Sequence, residues 1–507
     1  MTFLYKNAAT FIFPVAAFLL VLCTSRNHDP GITSDSAFYL ETAGNIISGK
    51  GLTDDYGRVN AHWPPLYPIV LAGASRVTGM DCITSGKFLN ALIIGLMFLV
   101  FNLILAKILI TSWFRWSANL FLLLSLPLTV FTMFWSEVPF MLILMMVILF
   151  GLNWIKTASL RWLIIAGIFS GLLILTRYAG VGFTAGFVVY LLFFSGHDYL
   201  TKIRNVLIYA GLAGLLVSPW VIFVIASGGA EIRSFNTHMI TPEHFATLFR
   251  TFYSWLLPEK FGIPGIVFGP FFLTCFLVAA YMYRKYYISG AIFKRFDITG
   301  KELALFLLSL SIFYLFMLIT SISFFDAHTQ LNNRILSPLY ALLLILIMII
   351  LENVTARIQV KVPVFILLGS LLISNAVYNG RLWHRHFVEG SGYRSLEWQG
   401  SATLLAVKSF TGYVIYTNAP DVITLNYPGL TGRVKNLPLK INSNTGIANR
   451  NYTVDLERMK TFVESGEGVI IYFNRFTARD YFIPKEELLQ IFIKNDIQLE
   501  DGLIVVL

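Results

Sequence analysis

Charge is what this sequence has least of. Asp, Glu, Lys and Arg make up 13% of its 507 residues, where a soluble globular protein carries about 25%. That scarcity excludes a wholly soluble chain. With 56% hydrophobic residues, it points to a polytopic α-helical membrane protein. Cysteine is scarce as well. Cys23, Cys82 and Cys275 are scattered, which excludes a disulfide framework or a cysteine-based metal module, and they read as structural. No internal repeat and no low-complexity tract is evident, so one mark of a transporter built from repeated halves is missing. Acidic residues are outnumbered 28 to 38, for a net charge of +10. Basic residues retaining cytoplasmic loops explain that excess, and no nucleic-acid partner is expected.

What the chain has in abundance is long apolar runs. Windows of about 17 to 25 residues can cross about 30 Å of hydrocarbon. They predict eleven spans near 7–25, 88–107, 117–135, 137–154, 162–176, 180–196, 206–226, 263–283, 303–320, 335–351 and 362–378, the fifth being short. The opening stretch MTFLYKNAATFIFPVAAFLLVLCTSR has some features of a signal peptide. Its Lys6 is a weak charged region and LVLCTSR a poor cleavage site, so an uncleaved first span is expected. With the N-terminus in the cytoplasm, the inner loops hold fourteen basic residues and the much longer outer loops ten. This asymmetry supports that orientation, and an odd number of spans puts the C-terminus outside.

From 379 onward charges become frequent and apolar runs shorten. GYVIYTN (412–418), GVIIYFN (468–474) and GLIVVL (502–507) read as buried strands. VDLERMKTFVESG (454–466) and PKEELLQIFIKND (484–496) have helical periodicity and helix-type ends. The expected organisation is a transmembrane domain over 1–378 and a small α/β domain over 379–507 on the outer face.

Residues 26–87 form an outer loop too long for a simple connector. SDSAFYLETAGNIIS (34–48) opens with a cap signal and continues helically, with Phe38, Ala43 and Ile46 or Ile47 on an apolar side. PPLYPIVLAGASRVTG (64–79) begins with prolines suited to a helix start. Both predict helices lying at the membrane surface, which would hold Asp35 just above the bilayer.

Several motifs follow one another in order and share one predicted side. They are the Asp35 loop, PPLYP, an acid in FWSEVPFMLIL (134–144), a base in LTRYAG (175–180), SPW (218–220) and NNRILSPLYALLL (332–344). In this order they resemble the GT-C membrane glycosyltransferases. The nearest likeness is to the bacterial aminoarabinose transferases and protein O-mannosyltransferase-like (glycosyltransferase 39-type) proteins, over roughly residues 1–350, with a looser echo in YTNAPDVITLNYPG (416–429). The resemblance implies a GT-C fold. It also implies transfer of a sugar from a polyprenyl-phosphate-linked donor to an acceptor hydroxyl or phosphate, with inversion, at the outer face of a plasma (inner) membrane. The acceptor is left open among lipid, glycan and protein.

Site residues follow from the same resemblance. Asp35 matches the first-loop catalytic carboxylate, a general base worth about 10²–10⁴-fold; Asp also suits a helix N-terminus, and both roles can hold. Glu137 matches a second catalytic acid, its alternative being an interfacial residue at a span end. Arg177 and Arg334 lie at outer ends of spans, against the positive-inside bias, and read as ligands of the donor phosphate or as snorkelling bases. By its spacing to Asp35, Tyr39 is expected to line the same substrate pocket, together with His62 and Tyr178. Tyr39, one turn beyond Asp35, is equally an interfacial aromatic, and His62 reads also as a solvated residue. Relatives often carry Glu-Lys where His62 and Trp63 stand, Lys-Gly where RYAG stands, and paired acids where Ser36 follows Asp35. No obligatory metal or other cofactor is therefore expected, and a divalent cation is left open. Asp54 and Asp55 suggest a solvated turn, His238 and His244 a loop that could meet substrate, and Asn451 a glycosylation sequon by pattern. The main rival is a transporter or flippase of lipid-linked sugars. A second is a non-catalytic relative that binds glycan.

Overall fold

The computed structural model describes residues 2–54, 57–59, 61–125, 128–227, 235, 237, 239–256, 300–326, 329–358, 361–441, 448–476, 481–492 and 496–506. The expected span at 263–283, together with Asp55, His238 and Cys275, lies outside the described residues. The described helices run α1 (Thr2–Thr24), α2 (Ser34–Ile47), α3 (Leu66–Thr78), α4 (Cys82–Ile108), α5 (Ser112–Ser125), α6 (Leu128–Phe131), α7 (Glu137–Thr157), α8 (Leu160–Thr176) and α9 (Gly180–Val189). A π-helical turn, Tyr190–Phe194, ends α9. Then follow α10 (Tyr199–Ala226), α11 (Pro242–Leu256), α12 (Gly300–Phe324), α13 (Asn333–Ile358) and α14 (Lys361–Glu389). Six of these are long and apolar enough to cross a membrane, and the chain is a multi-pass membrane protein.

With the apolar effect between helices lost in lipid, close packing and buried polar pairs hold such a bundle together. Both are present. Gly186 lets α9 lie against α12 so closely that an added Cβ would stand 2.6 Å from the Ser309 carbonyl oxygen. Asn102 and Asn119 exchange side-chain amide hydrogen bonds of 2.8 and 3.0 Å between α4 and α5.

Both helices expected in the first loop are present, as α2 and α3. The third expected span differs. It is helical over α5 and α6, but residues 132–136 leave helical geometry because their backbone is used elsewhere. Gly31 N donates to Thr132 O at 2.7 Å and Phe134 N donates to Gly31 O at 2.9 Å. On its other side the loop pairs with the start of the C-terminal region, where Tyr393 N donates to Ile32 O at 2.8 Å. Residues 31 and 32 are thus held between two distant segments, in parallel bridges with Met133 and Gly392. This fixes where α2 begins.

The C-terminal region is a five-stranded sheet of β1 (Val414–Thr417), β2 (Val434–Asn436), β3 (Gly468–Phe473), β4 (Asp496–Leu499) and β5 (Gly502–Val505), in the order β2-β1-β3-β5-β4. β2, β1 and β3 run parallel, β5 returns antiparallel to β3, and β4 is antiparallel to β5 and so runs in the direction of β3. Alternation along the strands gives two cores. Ile415, Val469, Ile471 and Ile504 pack on one face, and Tyr416, Ile470, Leu503 and Val505 on the other. Of the expected elements, PKEELLQIFIKND is helical only over Lys485–Ile491, and its last residue begins β4.

The pairing at Ile32 depends on Gly392. Its φ is +67°, and a Cβ there would stand 2.2 Å from the Ile32 carbonyl oxygen. Gly392→Ala is therefore expected to destabilise the protein, with about 1–2 kcal/mol from backbone strain alone and more from the clash. Gly412→Ala, where a Cβ meets nothing within 4 Å, should leave stability unchanged. Melting midpoints in detergent check this, and equal midpoints for the two variants would refute the assignment.

Candidate active site

Four ionisable side chains, from residues 35, 137, 177 and 334, meet at the end of the bundle that carries α2 and the sheet. Each sits at a helix end for a local reason. Thr33 caps α2 and forms a capping box with Ser36, leaving Asp35 in the first turn, where the helix dipole favours a carboxylate. Glu137 opens α7 directly after Ser136, with Pro139 tolerated in the first turn. Arg177 is the C-cap residue of α8, a site the dipole favours for a cation. Arg334 is the exception. It lies in the first turn of α13, where Asn332 Oδ1 accepts from the Arg334 and Ile335 backbone N–H groups at 3.1 and 3.3 Å. A cation at a helix N-terminus is disfavoured, so its neighbours must hold it.

They do. Arg334 Nε donates to Glu137 Oε1 at 2.5 Å, and Arg334 Nη2 is ion-paired with Asp35 Oδ2. Arg177 Nη1 reaches the same Glu137 oxygen at 2.7 Å. The Trp135 ring lies against the Arg334 guanidinium, 4.2 Å from its carbon. Glu137 is 1% exposed and its Oε2 has no hydrogen-bond partner among the described residues. A carboxylate this buried is tolerated because two guanidiniums converge on it. Two positive and two negative charges make the cluster neutral.

Above the cluster lies a cavity of about 520 Å³, lined by Asp35, Arg177, Tyr178, Arg334 and His62, and also by Asp326, Gln330, Asn332 and Tyr481. Beside it, between α10 and α12, is an apolar cavity of about 390 Å³, lined by Trp220, Val221, Val224, Ile225, Met317 and Phe325. His62, Tyr178, Met317 and Ser321 border both. Asp35, Arg177, Arg334, His62 and Tyr178 thus share one chamber. Glu137 lies behind its wall. Tyr39 also lies behind it, 1% exposed, with its hydroxyl 2.9 Å from Ser136 Oγ. Burial, reinforced by Asp35 and Glu137, pushes the Tyr39 phenol well above its ordinary pKa, so it stays protonated. Tyr178 is fixed by donating to the Ala61 carbonyl at 3.0 Å and accepting from Trp220 Nε1 at 3.1 Å. His244 bonds locally to Thr241 and is not part of the chamber wall. Among the described residues, no three His, Cys, Asp or Glu side chains gather as a set that could hold a metal ion.

Sequence reasoning passed over Trp135, Ser136 and Tyr481. The first two adjoin Glu137 in FWSEVP, and their polar neighbours come from distant segments. Tyr481 reaches the chamber from the C-terminal region, and no local pattern marks that.

The backbone compares closely with two crystal structures of ArnT from Cupriavidus metallidurans. The apo state gives a TM-score of 0.56 at 13% identity, covering 97% of each chain. The state bound to undecaprenyl phosphate gives 0.53 at 14%, again covering 97% of each. The chain has the GT-C fold. An oligosaccharyltransferase of Archaeoglobus fulgidus scores lower, at 0.49 with 11% identity, over 92% of this chain and 70% of that one. No protein-family model and no curated protein sequence matches the chain. The GT-C likeness therefore lies in the path of the backbone, from the first helix through the C-terminal sheet.

The central place of Glu137 has a measurable consequence. Glu137→Ala leaves two guanidiniums without their shared carboxylate and is expected to cost about 3–5 kcal/mol. Arg385→Ala removes an exposed i,i+4 pair with Glu389 and should cost at most about 1 kcal/mol. Thermal unfolding in detergent separates the two. Similar midpoints would mean that the cluster does not hold this end of the bundle together.

Proposed function

We propose that the chain is an inverting glycosyltransferase that moves a sugar from a polyprenyl-phosphate-linked donor to an acceptor hydroxyl or phosphate, with Asp35 as general base. The observation that carries this reading is the pairing of the two cavities. A polar chamber with a carboxylate and two guanidiniums adjoins an apolar one bordered by Trp220, Val224 and Met317. A lipid-linked sugar phosphate has those two halves. That one ArnT structure sharing this fold is bound to undecaprenyl phosphate supports the same donor class here.

The chemistry runs as a single displacement. The acceptor oxygen forms a bond to the anomeric carbon as Asp35 takes its proton. The bond from that carbon to the phosphate oxygen breaks on the opposite side, and its electron pair leaves with the phosphate. Attack opposite the leaving group inverts the centre. The charge gathering on the phosphate is stabilised by Arg177 and Arg334. Arg334 therefore serves two anions: in the free protein it holds Asp35, and with donor bound it is shared with the phosphate. Glu137 keeps both guanidiniums aimed. Tyr178 and His62, at the border between the cavities, would flank the sugar phosphate. In the orientation read from charge, the chamber faces the periplasmic side of a plasma membrane, the N-terminus is cytoplasmic and the 379–507 domain is extracytoplasmic.

Mass spectrometry of envelope glycans and glycolipids tests this in cells lacking the protein and complemented with wild type or Asp35→Asn at matched expression. One sugar is expected to vanish in the deletion and return only with wild type, since the variant loses about 10²–10⁴-fold. Full restoration by Asp35→Asn would remove the base assignment and favour a transport role.

A further inference from the structure

The helix that carries Asp35 is fastened at two points by side chains outside the transfer chemistry. At its start, Trp135 Nε1 donates to Thr33 Oγ1 at 2.9 Å, and Thr33 is the N-cap residue of α2. One turn on, Tyr39 Oη and Ser136 Oγ are hydrogen-bonded at 2.9 Å. Ser136 also accepts from Arg177 Nη1 at 3.0 Å, while the Trp135 ring lies against Arg334. Ser136, Tyr39 and Trp135 are all buried. Asp35 falls between the two fastenings. Two consecutive residues thus grip α2 at its N-cap and in its second turn, on either side of Asp35, and touch both guanidiniums.

We propose that Trp135 and Ser136 are positioning residues that clamp the first turn of α2 and so set where Asp35 stands relative to Arg334 and the acceptor. The role in transfer rests on the reading of Asp35 as the base; the clamp itself does not. The physical need is clear. A helix of 14 residues is marginal in isolation, and the N–H groups of its first turn, which have no backbone partner within the helix, rest on the capping box at Thr33. Left to itself that turn frays, carrying Asp35 with it. A general base must stay within about 2.6–3.2 Å of the proton it takes, and a misplacement of about 1 Å can cost about 10²-fold in rate.

Three variants probe the clamp. Trp135→Phe keeps a ring beside Arg334 and removes the N–H to Thr33. Ser136→Ala and Tyr39→Phe break one hydrogen bond from its two ends. In the purified full-length protein, amide hydrogen exchange over residues 34–40 is expected to quicken about five- to tenfold in each. Binding of undecaprenyl phosphate, followed by native mass spectrometry, should stay at the wild-type level in Trp135→Phe and Tyr39→Phe, which leave the Ser136 bond to Arg177 in place. In complemented cells, the rate at which the missing sugar reappears after induction should fall about ten- to hundredfold. The Tyr39→Phe/Ser136→Ala double variant should be no worse than Ser136→Ala alone. Unchanged exchange in α2 overturns the clamp, whatever the glycans do. Quickened exchange with a wild-type rate of reappearance overturns the positioning role, as does a loss of lipid binding in Trp135→Phe and Tyr39→Phe that matches the loss of transfer. If Asp35→Asn restores the sugar, the functional reading fails, while the exchange data still decide the clamp.

Discussion

A buried carboxylate governs this end of the molecule. Glu137 opens a long apolar helix and is almost sealed from solvent, a position where an unpaired charge would be very costly. Its oxygen Oε1 takes up guanidiniums from two other helices, and one of those guanidiniums goes on to hold Asp35. Residues some 300 positions apart in sequence are thereby joined through ion pairs that each need the next. Arg334 makes the dependence plain. It stands at a helix end that repels it, and Glu137, Asp35 and the Trp135 ring keep it there.

The same end is built on backbone as well as charge. Gly31 and Ile32 pair with a stretch that has left helical geometry on one side and with the entry to the C-terminal region on the other. The loop is therefore a registered element, and the helix that follows starts at a fixed point. Arg394 adds an ion pair to Asp29 at 2.7 Å, and Tyr481 forms part of the chamber wall. The C-terminal region thus contributes surface to the chamber.

Much of the scaffold was legible in the sequence because its signals are local. Long apolar windows mark spans wherever a helix must satisfy its own backbone in lipid, and the strands around Ile415, Ile470 and Ile504 are short apolar runs with both faces buried. The broken third span was not legible. Its run is largely apolar, though Pro127 interrupts it, and the pairing of Thr132 and Phe134 with Gly31 is a contact between distant segments that no local pattern marks. β4 was missed because it is four residues long, three of them exposed, and its alternation of Asp496, Ile497, Gln498 and Leu499 is too short to stand out. β2 is three residues long, too short for a pattern. At the site, the ionisable residues were legible as charges at span ends, and their convergence is a matter of tertiary structure. Tyr39 was expected at the pocket from its spacing to Asp35. Helical spacing gives the face but not the depth, and the ring lies behind the chamber wall, against Ser136.

The central claim is that the guanidiniums of this cluster read the phosphate of a polyprenyl donor whose chain lies in the adjoining apolar cavity. Competition binding to the purified wild-type protein in nanodiscs tests it without altering a residue. Undecaprenyl phosphate should bind saturably and be displaced by a second polyprenyl phosphate, while undecaprenol, with the same chain and no charge, should fail to displace it at matched concentration. If the alcohol competes as well as the phosphate, the cluster does not read the phosphate, and the charged chamber has some other purpose.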